Sequence, residues 1–485
     1  MLSSEIKDQY ELVIGLEVHA QLDTKTKIFA PDASEYGSLP NTNISVITLG
    51  HPGVLPKLNK KAVEFAIRMG LACGSDITRH TIFARKNYFY PDLPKGYQIT
   101  QDKTPICKGG KVIIKVNGEE KTIQLTRIHL EEDAGKSVHL AGETDTLVDF
   151  NRAGTPLIEI VSEPDLRSPE EAAQYLTEIR KLVRYLDICD GNMEEGSLRC
   201  DVNVSVRKKG ETKFNTRVEV KNMNSMRNVQ RAIEFEFERQ IAVVESGGTI
   251  YQETLNFDAD TGETSAMRKK ESMNDYRYFP EPDLTPLVVS EAWLASVQAN
   301  LPALPRDLHL KFTHQYQLSV YDASSLTDTK ELALYFEEIC GHTKNYKAAA
   351  NWLMGPVKSY LNEKSLHFSD FSLKPAQLAE IIALIDANKV SFAAANQKLF
   401  PFLLENPALT ALQVAESQNL IQESNENTLQ ILVDEVLAAM PAEIERYRSG
   451  KVNLLGVFVG EVMKKSKGKA DPKLTSELLR KKLDV

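Results

Sequence analysis

The chain has 485 residues, 42% apolar and 26% charged, with 21 prolines and 25 glycines, a globular balance that excludes a disordered or fibrous chain. At about 100–200 residues per domain, this length implies two to four compact units and excludes a single small module. A net charge of −9 and a pI near 5.7 exclude a global positive field for nucleic acid or an anionic membrane, so such binding needs a local patch.

The N-terminal MLSSEIKDQY lacks an apolar stretch behind a basic start, and no later run approaches the roughly 18 apolar residues that span a bilayer. The five cysteines are scattered and odd in number, so neither a metal knuckle nor a disulfide framework is visible. A cytoplasmic, reducing location is expected. ELVIGLEVHAQL reads as a strand with Val18 on one side and Glu17 and His19 together on the other. That pair suits either a divalent cation or a solvent-facing strand. TRIHLEEDAGKS crowds Arg127, His129, Glu131, Glu132 and Asp133 at a strand end, where carboxylates repel unless cations or solvent neutralise them. A wet loop is the plain alternative. Gly135-Lys136-Ser137 is no P-loop, because Leu130 stands where its first glycine is needed.

In DFNRAGTPLIEIVSEPD, Arg152 suits a bidentate contact to phosphate or carboxylate, or a turn arginine paired with Glu159 or Asp165; both readings stay open. Ser168 and Glu171 form a capping box with Pro169 at the first helical position. Leu176, Ile179, Leu182, Val183 and Leu186 line one face of the helix that follows. After GNMEEG, which carries Glu194 and Glu195, LRCDVNVSVR alternates Leu198, Cys200, Val202 and Val204 against Arg199, Asp201, Asn203 and Ser205. RVEVKN repeats this with Glu219 and Lys221, adding Asn222, and the two strands are candidates for pairing. A helix then runs from about Ser225 to Glu245, closed by Gly247. All-oxygen ligands with one histidine suit Mg²⁺ or Mn²⁺ and leave room for phosphate, as on the floor of a nucleotide-dependent ligase. DADTGET mimics a calcium loop but sets Gly262 one position early, so a hairpin turn is expected. No G-x-S-x-G elbow or catalytic cysteine setting appears, so a nitrogen donor would come from elsewhere.

Near residue 290 the pattern turns helical, with Pro302 and Pro305 breaking any helix begun near Glu291. Periodic apolar positions then follow at Leu332, Tyr335, Phe336 and Ile339. PFLLENP at 401–407 marks a second break before Leu429, Leu432, Val433, Val436 and Leu437. The organisation expected is α+β: a large antiparallel-sheet domain over 1–292, a helical domain over 293–407 and a small helical tail over 408–485. From Met463 onward eight Lys or Arg (Lys464, Lys465, Lys467, Lys469, Lys473, Arg480, Lys481, Lys482) face three acidic residues, which suits phosphate contacts or a solvated helix end equally.

These motifs, in one order over nearly the whole chain, resemble the GatB family, the B subunits of heterotrimeric aspartyl/glutamyl-tRNA amidotransferases. GLEVHAQL, HPGVLPKLNKKAV, ARKNYFYPDLPKGYQI, HLEEDAGKS, MEEGSLRCDVNVSVR, VEVKNMNS, DYRYFPEPDL, NWLMG, LVDEVL and GVFVGEVMKKSKGKADPKLTSELLRKKL carry the resemblance with the Arg152 segment. It implies a cradle domain similar to glutamine synthetase and a tail similar to YqeY proteins that contacts tRNA. It implies that ATP and Mg²⁺ phosphorylate the side-chain carboxylate of Glu on tRNA(Gln) or Asp on tRNA(Asn). Ammonia released from glutamine by the A subunit then forms the amide, in a complex that also holds the C subunit. Carried onto this chain, the metal candidates are Glu17, His19, Glu131, Glu132, Asp201 and Glu219. Glu17, His19 and Glu132 are the catalytic candidates, and Arg152, Lys221 and Asn222 are placed on the nucleotide. One departure stands out: PDASEYGSLPNTN has no cysteine where some members carry zinc-binding C-x-x-C pairs, so no zinc is expected. A non-catalytic RNA-binding scaffold and a free-standing ligase are the competing readings.

Overall fold

A computed structural model describes residues 3–140, 142, 144–267, 276–422, 426–466 and 469–484, so Asp275 of the DYRYFPEPDL motif and Lys467 of the basic tail lie outside the described residues. The chain forms two compact units, Met1–Pro305 and Arg306–Val485.

The first unit is built on a ten-stranded sheet. Its strands in chain order are β1 (Tyr10–Gln21), β2 (Asp76–Ile77), β3 (Cys107–Lys108), β4 (Lys111–Val116), β5 (Glu119–Glu132), β6 (Pro156–Ser162), β7 (Leu198–Lys208), β8 (Val218–Met223), β9 (Thr254–Phe257) and β10 (Thr264–Ala266). In space they run β10-β9-β8-β7-β1-β6-β5-β3-β2, with β4 paired to β5. Every pairing is antiparallel except β8 with β9. The two expected strands do pair: Val202 faces Val220 and Asn203 faces Glu219 across β7 and β8. DADTGET forms the turn of the β9–β10 hairpin, where Asp258 accepts from the backbone of Asp260 and Thr261.

Alternation gives this sheet one apolar face. Ile14, Leu16 and Val18 of β1, Ile158 and Ile160 of β6, and Val202 and Val204 of β7 are fully buried in one core with three helices. These are α1 (Lys60–Ala72), α2 (Pro169–Tyr185) and α3 (Met226–Glu245). Of the expected stripe, Leu176, Ile179 and Val183 of α2 and Leu186 at its C-cap are wholly buried and Leu182 is half-buried; Tyr175, outside the stripe, is wholly buried as well. The capping box forms differently from its sequence signature. Ser168 Oγ accepts from Glu171 N at 3.2 Å, but the Glu171 carboxylate accepts from Arg167 N (2.7 Å) and Lys121 Nζ (2.6 Å) in place of Ser168 N. Lys121 on the neighbouring strand draws the carboxylate aside, and the preceding amide is the one then in reach.

The first unit extends past the expected boundary at 292. Helix α4 (Glu291–Ala299) buries Leu294 and Val297 in the same core, so the chain leaves the unit only at Pro305. In the second unit the periodic helix is Lys330–His342, with Ala333, Phe336 and Ile339 buried. Pro401 does not end a helix: Phe392–Glu405 runs through it after a π-helical turn at Ala395–Leu399, as Tyr346–Lys364 passes Pro356 within a π-turn at Leu353–Val357. A wide turn is one way a helix passes a residue that cannot donate its N–H. Leu429, Val433, Val436, Phe458, Val462 and Leu479 form a separate small core over the last 60 residues or so. No helix of the described residues is long and apolar enough to cross a membrane.

Truncating Ile179 to Ala should cost about 2–5 kcal/mol by opening a cavity beneath the sheet, whereas Ser168→Ala should cost only ~1 kcal/mol of capping. Urea unfolding followed by circular dichroism reads both, and equal losses would contradict this account of α2.

Candidate active site

The face of the sheet opposite that core carries the polar side chains. Strand pairing sets Glu17 opposite Asp201 and His19 opposite Glu159, while Glu159 in turn faces His129. Two groups of ligand-bearing side chains result, His19 with Glu131 and Glu159, and Glu17 with Asp201 and Glu219, each with donor atoms within 4.8 Å of one another. Two residues along β1 separate His19 from Glu17, roughly 7 Å at the usual rise per residue.

In the first group His19 Nε2 lies 3.3 Å from Glu159 and 3.6 Å from Glu131, and His129 Nε2 lies 3.5 Å from Glu159. Burial works against a charge on His19, but the hydrogen bond and charge of Glu159, aided by Glu131 and Asp201, lift it to about 9. Burial instead draws His129 down to about 4 and leaves it neutral, and its Nδ1 has no hydrogen-bond partner among the described residues. Burial and the neighbouring Glu159 push Glu131 up to about 7. In the second group burial, then Glu159, Glu219 and Asp201, raise Glu17 above the usual carboxylate range, with Lys221 opposing. Lys221 hydrogen-bonds Asp201 and lies 3.0 Å from Glu219; burial works to neutralise it, but these two carboxylates hold it charged. Asn203 donates to Glu17 (3.0 Å) and Thr254 to Glu219 (2.8 Å), fixing both carboxylates.

Glu17, His19, Glu131, Asp201 and Glu219 therefore converge from β1, β5, β7 and β8, but as two groups rather than one. Glu132 joins neither. Consecutive strand residues point to opposite faces, so Glu132 turns away from Glu131, accepting from Ile99 N at 2.9 Å and from Lys95. The wet-loop reading fails as well, since Glu131, Glu132 and Asp133 are each less than 10% exposed. Asp133 is held below the usual carboxylate range: burial opposes its charge, and Arg199 at 2.9 Å and Arg152 outweigh that. Arg152 pairs with neither Glu159 nor Asp165; its guanidinium donates to the carbonyls of Ala134 (2.9 Å) and Gly135 (2.6 Å) and so braces the loop. Gly135 is required there, because a Cβ would stand 2.9 Å from the carbonyl oxygens of Asp92 and Asp149. Asn222 has a left-handed φ of 70° where the β7–β8 register shifts, and its amide reaches Asn256 at 2.6 Å, away from both groups.

Sequence reasoning missed Glu159 as a ligand, although a single carboxylate between Ile158 and Ile160 in an apolar strand was its signal. It also missed Lys27. This residue is almost wholly buried on a cavity of about 200 Å³ lined with Lys95, Tyr97, Glu132 and Asp283, and among the described residues its ammonium makes only a 3.4 Å contact to the Phe150 carbonyl. Burial pulls it down to about 8, despite Asp32 and Glu132.

The tail's charges are partly spent within the second unit. Lys465 bonds Glu435 at 2.6 Å, Lys482 pairs with Asp434, Lys464 lies 3.7 Å from Glu461, and Lys469 reaches Asn419 at 3.3 Å. Lys473, Arg480 and Lys481 remain exposed on the last helix, Pro472–Leu483.

A lysine whose folded pKa is depressed gives up its proton before the unfolded chain does, so stability rises with pH between the two values. Wild type should therefore gain stability relative to Lys27→Met as pH goes from about 8 to about 10. Urea titrations at both ends read the difference, and parallel pH profiles would refute it.

Residues 12–295 match the family described as the GatB/GatE catalytic domain, and residues 334–483 match the one described as the GatB domain. Among curated proteins, the chain is 51% identical to an aspartyl/glutamyl-tRNA(Asn/Gln) amidotransferase B subunit of Alkalilimnicola ehrlichii, over 98% of this chain and all of that one. It is 50% identical to the protein of that name from Synechococcus sp. (strain JA-3-3Ab), over 100% of this chain and 99% of that one, and 49% identical to that from Chlorobaculum tepidum, over 98% and 100%.

Proposed function

The chain belongs to the GatB family, and from that premise we propose that it acts as the B subunit of an ATP- and Mg²⁺-dependent amidotransferase, working in the cytoplasm with the A and C subunits. Its substrates are Glu-tRNA(Gln), Asp-tRNA(Asn) or both. The observation that carries this reading is the convergence of two carboxylate groups from five separate strands onto one sheet face. The first unit, as far as Pro305, serves as the glutamine-synthetase-like cradle, residues 306–407 as the helical domain and 408–485 as the YqeY-like tail.

The donor sets suit hard cations. Glu17, Asp201 and Glu219 offer only oxygen, and His19, Glu131 and Glu159 offer oxygen with one imidazole, with no thiolate in either. The first set would hold one Mg²⁺ and the second another. Bound there, the ions and ATP supply a phosphoryl donor and offset charge on the transferred oxygens.

A carboxylate is a poor electrophile because oxide leaves badly. The Glu or Asp side chain therefore takes the terminal phosphoryl group with release of ADP, and ammonia delivered by the A subunit displaces phosphate to form the amide. This chain's part is to orient and to balance charge. Lys221 supplies a fixed positive charge beside Asp201 and Glu219, where phosphate oxygens would collect. His19 bridges the two carboxylates of its own group and must release its proton before it can ligate. The Lys95–Glu132 pair lies on the adjoining cavity and orders its wall, which makes Glu132 a positioning residue. Arg152 positions the Ala134–Gly135 turn.

With purified A and C subunits, Glu-tRNA(Gln), ATP and glutamine, the amino acid released from tRNA should be Gln; unchanged Glu, together with unchanged Asp from Asp-tRNA(Asn), would reject the proposal. Asp201→Asn and His19→Ala should each lower tRNA-dependent ATP cleavage on the order of 10²-fold while the complex still assembles. Wild-type turnover in both would move the metal sites elsewhere.

For the tail, replacing Lys473, Arg480 and Lys481 together by Ala should weaken tRNA binding and flatten its salt dependence by roughly 0.7 to 0.9 log units for each phosphate no longer neutralised. Filter binding from low to moderate salt checks this, and an unchanged slope would leave the tail without a role in binding tRNA.

A further inference from the structure

Between β1 and α1 the chain runs from Leu22 to Asn59 without a helix or strand, far longer than an ordinary connection. Its first part is fixed. Ile28 and Phe29 are buried in the core of the first unit, and their carbonyls accept from Asn59 N (2.8 Å) and Lys57 N (2.9 Å). The Asp32 carbonyl accepts from Lys27 N at 3.0 Å, which closes a tight loop on that part. The later part, Ser45–Pro56, is a wall: Ile47, Thr48, Gly50, Val54 and Pro56 line the cavity of about 200 Å³ together with Lys27, Lys95 and Glu132.

One side chain joins the two parts. Asp32 Oδ2 accepts from Ser45 N (3.1 Å), from Ser45 Oγ (3.0 Å) and from Thr48 Oγ1. Among the described residues, every hydrogen bond that leaves Ser45–Pro56 ends on this oxygen. The others, such as Leu49 N to Ser45 O, Gly50 N to Ile47 O and His51 N to Val46 O, stay within the segment. Thr48 is buried at the latch, whereas His51, Pro52, Gly53 and Leu55 face solvent. The wall also rests on Lys95: Gly50 has a left-handed φ of 65°, and a Cβ there would stand 2.5 Å from Lys95 Cγ. Lys95 in turn holds Glu132, the strand neighbour of Glu131 in the first carboxylate group.

We propose that Asp32 is a positioning residue, latching Ser45–Pro56 as the wall that keeps bulk water from the Lys95–Glu132 pair and so from the activated carboxylate beyond it. The inference rests on the function proposed above and adds to it how the intermediate is shielded. In that reaction water competes with ammonia. Its oxygen bonds to the acyl carbon, the bond from that carbon to the phosphate oxygen breaks, and carboxylate, phosphate and a proton are released, so ATP is consumed without an amide. Charge-assisted bonds to one carboxylate oxygen are the strong kind, and with no other hydrogen bond holding the wall the leak depends on Asp32. Asp32 Oδ1 has no hydrogen-bond partner among the described residues, so asparagine keeps the three bonds and loses only the charge.

The test uses the assembled heterotrimer with Glu-tRNA(Gln), ATP and glutamine, and counts ADP formed per Gln-tRNA(Gln). Asp32→Ala should raise this ratio at least about threefold over wild type, with KM for ATP within about twofold, and Asp32→Asn should restore it. Hydrogen exchange at the Leu49, Gly50 and His51 amides should quicken by at least about tenfold in Asp32→Ala while β1 and α2 stay protected. Should Asp32→Ala fail to fold, Thr48→Val decides, since it removes one of the three bonds at nearly equal size and should move both readouts in the same direction. An unchanged ratio overturns the seal even where exchange quickens, and unchanged exchange overturns the latch. A ratio raised as much by Asp32→Asn as by Asp32→Ala overturns it too and assigns the effect to the charge that Asp32 sets near Lys27. A wild-type complex that leaves Glu on the tRNA overturns the proposed function itself.

Discussion

Five carboxylates from five strands, Glu131, Glu159, Glu17, Asp201 and Glu219, share one face of one sheet, and the rest of the first unit is arranged around keeping them there. Partly desolvated like charges at this density repel, and each carries a burial penalty that only nearby cations or protonation can offset. The chain meets this in two ways. It places Lys221 between Asp201 and Glu219 and a protonated His19 beside Glu159, and it leaves Glu131 shifted toward the neutral acid. On the function proposed above, a divalent cation bound there would replace a proton and relieve repulsion already present. The apolar face beneath, with α1, α2 and α3 packed on it, supplies the rigidity that makes the arrangement tolerable.

Strand parity explains much of what the sequence made legible here. The period-2 alternation of GLEVHAQL and LRCDVNV is enough to put Glu17, His19 and Asp201 on one side of their strands, and pairing of neighbours then brings those sides together. The same rule, applied to Glu131 and Glu132, separates them. Adjacent acidic residues look like a cluster in a string of letters, whereas on a strand they serve opposite faces, one the carboxylate group and the other the Lys95 and Lys27 cavity. Glu159 escaped notice for the complementary reason. It is the only charged residue in PLIEIVS, and its importance depends on β6 lying between β1 and β5, an order that no local pattern encodes.

Long-range pairing likewise decided the features that local motifs misread. Arg152 had two acidic candidates nearby in sequence, but the fold offered it the carbonyls of Ala134 and Gly135, which it reaches through the Asp133 loop. Lys121 on β5 drew Glu171 out of its capping box. In the second unit the helical periodicity held for Phe336, Ile339, Val433 and Val436, yet Pro401 failed as a breaker because a π-turn had already released the hydrogen bond it would have disrupted. Charge counted along the chain likewise leaves out partners that the fold supplies: of the eight basic residues near the C-terminus, Lys465 and Lys482 pair with Glu435 and Asp434, distant in sequence.

The register shift at Ser162 ties these threads together. A sheet that paired perfectly along β1 and β6 would present a continuous flat face, with carboxylates on it but no depth to hold a ligand beside them. By letting Ser162 Oγ stand in for a backbone acceptor, the chain ends the β1–β6 ladder one residue from Glu17 without leaving the Leu16 amide unsatisfied. The gap opens where β1 also dispenses with a side chain at Gly15, so width from the bulge and depth from the glycine coincide beside the metal-suited group. Either feature alone would be a common irregularity of a large sheet. Their coincidence sets an open cavity directly beside Glu17, which belongs both to the carboxylate group and to the cavity wall.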